Sequence, residues 1–193
     1  FNIRDTRVGV HERDAYEGLM AVIPPKEKRG LVMIDPPYEL ERKDFPQLVD
    51  LLTNAYKKWS TGVFVLWYPI KDRSMIERFE KKMLKTGIKK QLICELCVWP
   101  DDTPVGLNGC GLLIINPPWQ FADQAEVILQ WLFPHLRMTE NGGHAAVRWL
   151  AAPYQLAAWI NSRLWTRRGR SSRPMGGGSC GSGLRGMGSW RSA

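Results

Sequence analysis

Four consecutive residues in this chain, Asp35-Pro36-Pro37-Tyr38, combine a carboxylate, two residues without an N–H and an aromatic ring. They follow directly on the apolar run Leu31-Val32-Met33-Ile34, which predicts a strand buried on both faces, as in a parallel sheet. Proline locks φ and donates no hydrogen bond, so two in succession end the strand. The chain then leaves from the sheet's carboxyl end, where open α/β sheets bind ligands. These groups suit methyl transfer to the exocyclic amine of a nucleobase. Such an amine is planar and a poor nucleophile, because its lone pair is delocalised into the ring. The Asp35 carboxylate can accept a hydrogen bond, or a proton, from it. The Pro36 carbonyl, lacking a ladder partner, can accept from the second N–H. Both bonds strengthen as the nitrogen turns tetrahedral, which favours the transition state over the ground state. Pro37 ends the strand beside them, and Tyr38 can stack on a base flipped out of its helix. The same residues also suit a strand-ending turn with a solvated tyrosine. The apolar strand before them and the chain order after them weigh against that plainer reading.

Two other positions invite comparison. Arg7–Glu12 predicts a short strand, and Ala15–Val22 a helix stopped by Pro24-Pro25. Asp14 therefore sits at a strand-to-helix junction, where an acid can face the same crevice as Asp35 or simply cap the helix. Spacing alone favours the cap. Leu112–Trp119 (L-L-I-I-N-P-P-W) is a second apolar run ending in a polar residue, two prolines and an aromatic ring. Chain order places its strand last in an antiparallel pair at the sheet edge and the strand before Asp35 centrally. On that basis Pro117-Pro118 is expected to be structural, or at most a wall of the substrate cleft.

The elements that must hold these residues alternate. Asp44–Trp59 predicts an amphipathic helix capped by Asp44, with Pro46 in its first turn. Val63–Tyr68 predicts a strand ended by Pro69, and Asp72–Thr86 a helix stopped at Gly87. Gln91–Trp99 and Gly111–Ile115 predict an antiparallel strand pair around the polar loop 100–109. Asp123–Leu136 predicts a further helix, and His144–Leu150 a last strand. Alternating strands and helices mean an α/β fold with a mainly parallel sheet and an antiparallel edge.

The chain's 193 residues suit one domain of ordinary size. No run of eighteen apolar residues is present, so no membrane span is expected. The net charge of +8 belongs almost wholly to residues 161–193, which hold seven arginines and no acid. Before them stand 20 basic and 19 acidic residues, so total charge says little about the folded part. Residues 162–193 are rich in Arg, Gly and Ser and predict a disordered tail, or a non-native reading frame. Cys94 and Cys97 form C-x-x-C, but inside a predicted strand their side chains point to opposite faces. No second ligand pair follows, so no metal is expected, and free thiols in a reducing cytoplasm are the better account.

Asp35-Pro36-Pro37-Tyr38-Glu39 is similar to motif IV of class I S-adenosylmethionine-dependent amino-methyltransferases. The wider pattern resembles the RlmJ family, which methylates N6 of one adenine in 23S ribosomal RNA. The stretches that carry this are Gly30–Glu39, Thr61–Pro69, Thr86-Gly87-Ile88, Ile114–Trp119 and Gly143-His144-Ala145. They span about residues 5–153, with residues 1–155 expected to form part of a methyltransferase domain. The resemblance implies a Rossmann-like class I sheet, S-adenosylmethionine as cofactor, and a cytoplasmic enzyme that is a monomer when complete. It implies that Asp35 accepts the proton near the methyl donor. It also implies that Asp14 and the next residue, Ala15, contact the cofactor's adenine, and this lifts Asp14 above the cap reading. The family usually has glycine at the position of Ala15. Only thirteen residues precede Asp14, too few for the family's first strands and Gly-rich loop. Those strands are therefore expected to be missing, leaving an association-prone fragment that binds the cofactor weakly. Rival readings are a DNA adenine-N6 or rRNA guanine-N2 methyltransferase, because D-P-P-Y occurs there too, and an inactive RNA-binding remnant.

Overall fold

The computed structural model describes residues 7–38, 41–101, 103–104, 106–140 and 142–152, without the side chains of 41–43. The predicted tail, 162–193, lies outside the described residues. The elements run α1 (Ala15–Val22), β1 (Leu31–Ile34), α2 (Glu41–Lys58), β2 (Val63–Ile70), α3 (Arg73–Lys85), β3 (Gln91–Cys97), β4 (Gly109–Ile115), α4 (Phe121–Leu136) and β5 (His144–Ala151).

Local chemistry accounts for most boundaries. Asp72 caps α3 by accepting from the Ser74 N–H at 2.8 Å, and Thr86 closes the helix through its hydroxyl on the Met83 carbonyl. Asp14 caps α1, accepting from the N–H groups of Tyr16 and Glu17 at 2.9 and 3.1 Å. Helix α2 begins three residues before Asp44, so Asp44 lies in its first turn and is not its cap. Strand β2 runs through Pro69 to Ile70. Beyond Leu66 it has no β1 partner, so the missing proline N–H costs no bond on that side. Residues 8–12 adopt no strand, so the predicted Arg7–Glu12 strand does not form.

The five strands form one mixed sheet in the order β1-β2-β4-β3-β5. Only β1 and β2 are parallel; β2–β4, β4–β3 and β3–β5 are antiparallel. Within the described residues the antiparallel part is thus larger than an edge. Two expectations about position fall with it. Strand β4, before Asn116, is central, because it returns between β2 and β3. Strand β1, before Asp35, is the outer strand of the described sheet. Nor is β1 buried on both faces: Leu31 is 62 % and Met33 53 % exposed, because α4 packs at the other end of the sheet, against β3 and β5.

One core lies between the sheet and α1, α2 and α3, built on Leu48, Leu52, Phe64, Leu66, Phe79 and Leu113. A smaller one lies beneath α4, around Val65, Leu92, Ile114 and Ala125. Cys97 belongs to the first core and Cys94 to the second, so the C-x-x-C side chains do face opposite ways. In the first core the Tyr68 ring lies across Gly111, its register partner on β4. A methyl group on Gly111 would sit 2.3 Å from Cζ of Tyr68. Gly111→Ala should therefore cost about 1–3 kcal/mol as overpacking, read as a lower denaturant midpoint with an unchanged slope. An unshifted midpoint would mean that the ring has room to move.

Candidate active site

Parallel pairing brings the carboxyl ends of β1 and β2 to one edge of the sheet. The last registered pair is Ile34 with Leu66, so Asp35 leaves the sheet level with Trp67. The N-terminal turn of α1 packs beside it. Together they form a cleft of about 480 Å³, within the usual size of small-ligand sites. Ala15, Tyr16 and Leu19 form one wall, and Val32 through Pro37 the other, with Leu48 and Leu51 of α2 behind. Asp35 is an exposed carboxylate in an otherwise largely apolar lining.

The sequence-selected residues divide. Ala15, Asp35, Pro36 and Pro37 line this cleft. Asp14 lines an adjoining groove that shares Tyr16 and Leu51 with it, so its carboxylate both caps α1 and borders the site. Tyr38 does not present its ring to the cleft. It is 5 % exposed, packs against Phe45 and Trp67 with ring centroids 5.6 and 5.8 Å away, and donates its hydroxyl to the Trp67 carbonyl. A solvated or base-stacking ring is therefore at odds with this arrangement. Sequence reasoning passed over Tyr16, which was treated only as part of a helix. It is half-buried on the cleft wall, and its phenol is pushed above the usual tyrosine value, by burial first and then by Asp44 and Asp14. Its place two residues after a candidate ligand acid was the available signal.

Asn116 stands at the opposite edge of the sheet. Strand β4 runs antiparallel to β2, so its carboxyl end meets the start of β2, with Ile115 opposite Phe64. The Asn116 amide donates to the carbonyls of Ser60 and Gly62, both at 2.9 Å, in a backbone with φ of 54°. These bonds tie two turns together. Strand direction, and not edge position, sets this turn apart from the Asp35 cleft.

A polar cluster lies between α3 and the far strands. Glu95, 3 % exposed, accepts from the Tyr68 hydroxyl at 2.9 Å and from Arg73 Nη1 at 3.0 and 2.9 Å. Burial works to raise the Glu95 carboxyl, but His144, Arg73 and Tyr68 outweigh it and hold it down at about 2. His144 is pushed up to about 10 by hydrogen bonding to Cys97 and Glu95. Cys97, Asp101 and His144 hold ligand-type atoms within 4.8 Å of one another. The Arg73 guanidinium already lies against all three: Nη2 is 3.0 Å from Asp101, 3.3 Å from His144 and 3.6 Å from Cys97. A second cation would be repelled, so this set does not fit a metal ion. Burial raises the Cys94 thiol to about 11, helped by Glu126, which keeps it protonated and unreactive.

A family model described as ribosomal RNA large subunit methyltransferase D, RlmJ, matches residues 2–151. The mixed sheet and the cleft at the carboxyl ends of its parallel strands fit a methyltransferase fold, and the chain belongs to the RlmJ family. It is 39 % identical over 148 residues to the ribosomal RNA large subunit methyltransferase J of Escherichia coli (strain K12), covering 76 % of this chain and 52 % of that one. The enzyme of the same name from Haemophilus influenzae is 39 % identical over 146 residues, covering 76 % and 51 %. The chain thus spans about half the length of the curated relatives it matches. A crystal structure of protein LPL1258 from Legionella pneumophila str. Philadelphia 1 superposes with a TM-score of 0.63 at 32 % identity, covering 71 % of this chain and 49 % of that one.

Two outcomes follow from this geometry. Tyr38→Phe should lose about 1–2 kcal/mol of stability with the buried hydroxyl bond, and Tyr38→Ala about 3–5 kcal/mol with the ring, both read by chemical denaturation. Equal stability of Tyr38→Phe and wild type would show that the hydroxyl anchors nothing. The pH dependence has a definite sign. Glu95 is lowered from 4.5 to about 2, so its contribution is full above pH 4.5 and lost as pH falls towards 2. Glu95→Gln should flatten that acid limb of the stability profile; an unchanged limb would remove Glu95 from the account.

Proposed function

We propose that this chain acts in S-adenosylmethionine-dependent methylation of N6 of an adenine in 23S ribosomal RNA. The observation that carries the reading is the cleft shared by the start of α1 and the Asp35-Pro36-Pro37 turn at the carboxyl edge of β1. The residues present fit the adenosine side of the cofactor. Leu19, Val32, Ile34 and Leu51 give apolar walls for a base, with Ala15 beside them, and Asp14 gives a carboxylate at the rim. When bound, S-adenosylmethionine supplies an electrophilic methyl group.

Asp35 accepts a hydrogen bond from the adenine amine and takes up the proton it loses. The Pro36 carbonyl accepts from the remaining N–H and so orients the nitrogen lone pair out of the ring plane. Pro37, exposed at the mouth, offers an apolar surface to the entering base, in the place first assigned to Tyr38. Tyr38 holds the turn from beneath. An RNA substrate supports a cytoplasmic location. No described helix is long and apolar enough to cross a membrane.

The test is transfer of labelled methyl groups to unmodified 23S ribosomal RNA, with the modified nucleoside identified by mass spectrometry. Asp35→Ala should lower the rate by about 10²–10⁴, the usual worth of a positioned acid–base group. Asn116→Ala, at the far edge of the sheet, should retain most of it. N2-methylguanosine as product, or DNA as the preferred substrate, would replace this reading by one of its rivals.

A further inference from the structure

Residues 1–160 are nearly neutral in total, yet their charge is not evenly spread. The stretch from Arg73 through Lys90 holds seven basic and two acidic residues. Part of this excess faces a groove of about 500 Å³ between α2 and α3. Its floor is apolar, formed by Phe45, Pro46, Met75 and Phe79, and its rim carries Arg78, Lys81, Lys82 and Lys85. These cations recur on successive turns of α3, about 5.4 Å apart along the axis, and present a linear positive array. Arg78 is turned back on Ser74, and Lys81 lies 3.9 Å from Glu77. Lys82 and Lys85 make no hydrogen bond or ion pair among the described residues, so their charge is available to a partner.

The groove is close to the proposed site. Tyr38 touches Phe45, and Phe45 touches Phe79 with ring centroids 5.0 Å apart. One aromatic layer therefore joins the Asp35 turn to the groove floor. We infer that this groove binds the phosphodiester backbone of the RNA strand that flanks the target adenine. The inference rests on the proposed function for the identity of the nucleic acid. Charge complementarity supplies the rest: lysine is a compact point charge suited to phosphate contacts that position a strand without reading its bases.

The experiment is a fluorescence titration of a labelled RNA hairpin bearing an unpaired adenine, at several salt concentrations. It compares the full chain, the Lys81→Gln/Lys82→Gln/Lys85→Gln variant and a control, Lys26→Gln/Lys28→Gln, on the turn before β1. Glutamine keeps helix propensity close to that of lysine, so α3 should persist. Loss of three phosphate contacts should weaken binding about tenfold to a hundredfold at 0.1 M salt and reduce the slope of log K against log salt by about 2. The control should keep both. Unchanged affinity and slope in the triple variant, or an equal loss in the control, would overturn the inference and leave the groove to some other acidic partner. Methyl transfer is measured alongside. A chain that binds the hairpin but transfers no methyl group even at saturating S-adenosylmethionine would refute the proposed function, while the comparison of slopes would still decide the groove.

Discussion

The register of β1 on β2 is the constraint on which the candidate site depends. Four residue pairs, ending at Ile34 and Leu66, set the height at which Asp35 leaves the sheet. Two prolines then deny the backbone any further ladder bonds, so another interaction must hold the turn. The Tyr38 hydroxyl on the Trp67 carbonyl does this. Trp67 is the next residue of β2 beyond the last registered pair, so the anchor extends the pairing by a side chain where the backbone cannot. Tyr38 takes a φ of 49° to reach it. A left-handed conformation costs a non-glycine residue about 1–2 kcal/mol, which burial of the ring and its hydroxyl bond offset.

A second constraint orders the rest of the sheet. Glu95 on β3 is a buried acid and must be paired. Its partners come from three directions: Tyr68 on β2, Arg73 at the start of α3, and His144 and Arg148 on β5. Tyr68 can reach across the intervening strand only because β4 offers Gly111 beneath the ring. Glycine at that point and the buried glutamate opposite it on the neighbouring strand are parts of one arrangement. It ties the antiparallel strands to α3, and α3 in turn carries the basic rim.

Much of this was legible because its causes are local. The limits of α1 and α3 follow from Asp14, Asp72 and Thr86, whose hydrogen bonds reach only two or three residues along the chain. The β3–β4 hairpin was legible from the polar loop between two apolar runs. What depended on distant partners was not. Arg7–Glu12 has an alternating pattern, yet residues 8–12 form no strand. Tyr38 looked like an exposed recognition residue because nothing nearby in sequence reveals Trp67 as its acceptor. Placing β4 at an edge assumed that consecutive strands stack outward in order; instead β4 inserts between β2 and β3. The partnership of Arg73, Glu95 and His144 spans 71 residues and had no local signature.

The two polar-Pro-Pro-aromatic turns show what local sequence can and cannot carry. Each ends an apolar strand, and each loses its ladder bonds at the prolines. Strand direction sends one to the carboxyl edge of the parallel pair and the other to the opposite edge. The side chain then matches its surroundings. At Asn116 the nearest polar groups are two carbonyl oxygens, which require a donor, and an amide supplies two N–H bonds there. An aspartate in that place would set a carboxylate against two carbonyl dipoles and lose both bonds. At position 35 the side chain faces an open cleft, where an acceptor with charge can meet an incoming N–H. The difference between Asp and Asn is thus set by what each edge of the sheet presents. It separates the two turns by chemistry, where the prolines and the aromatic ring make them alike.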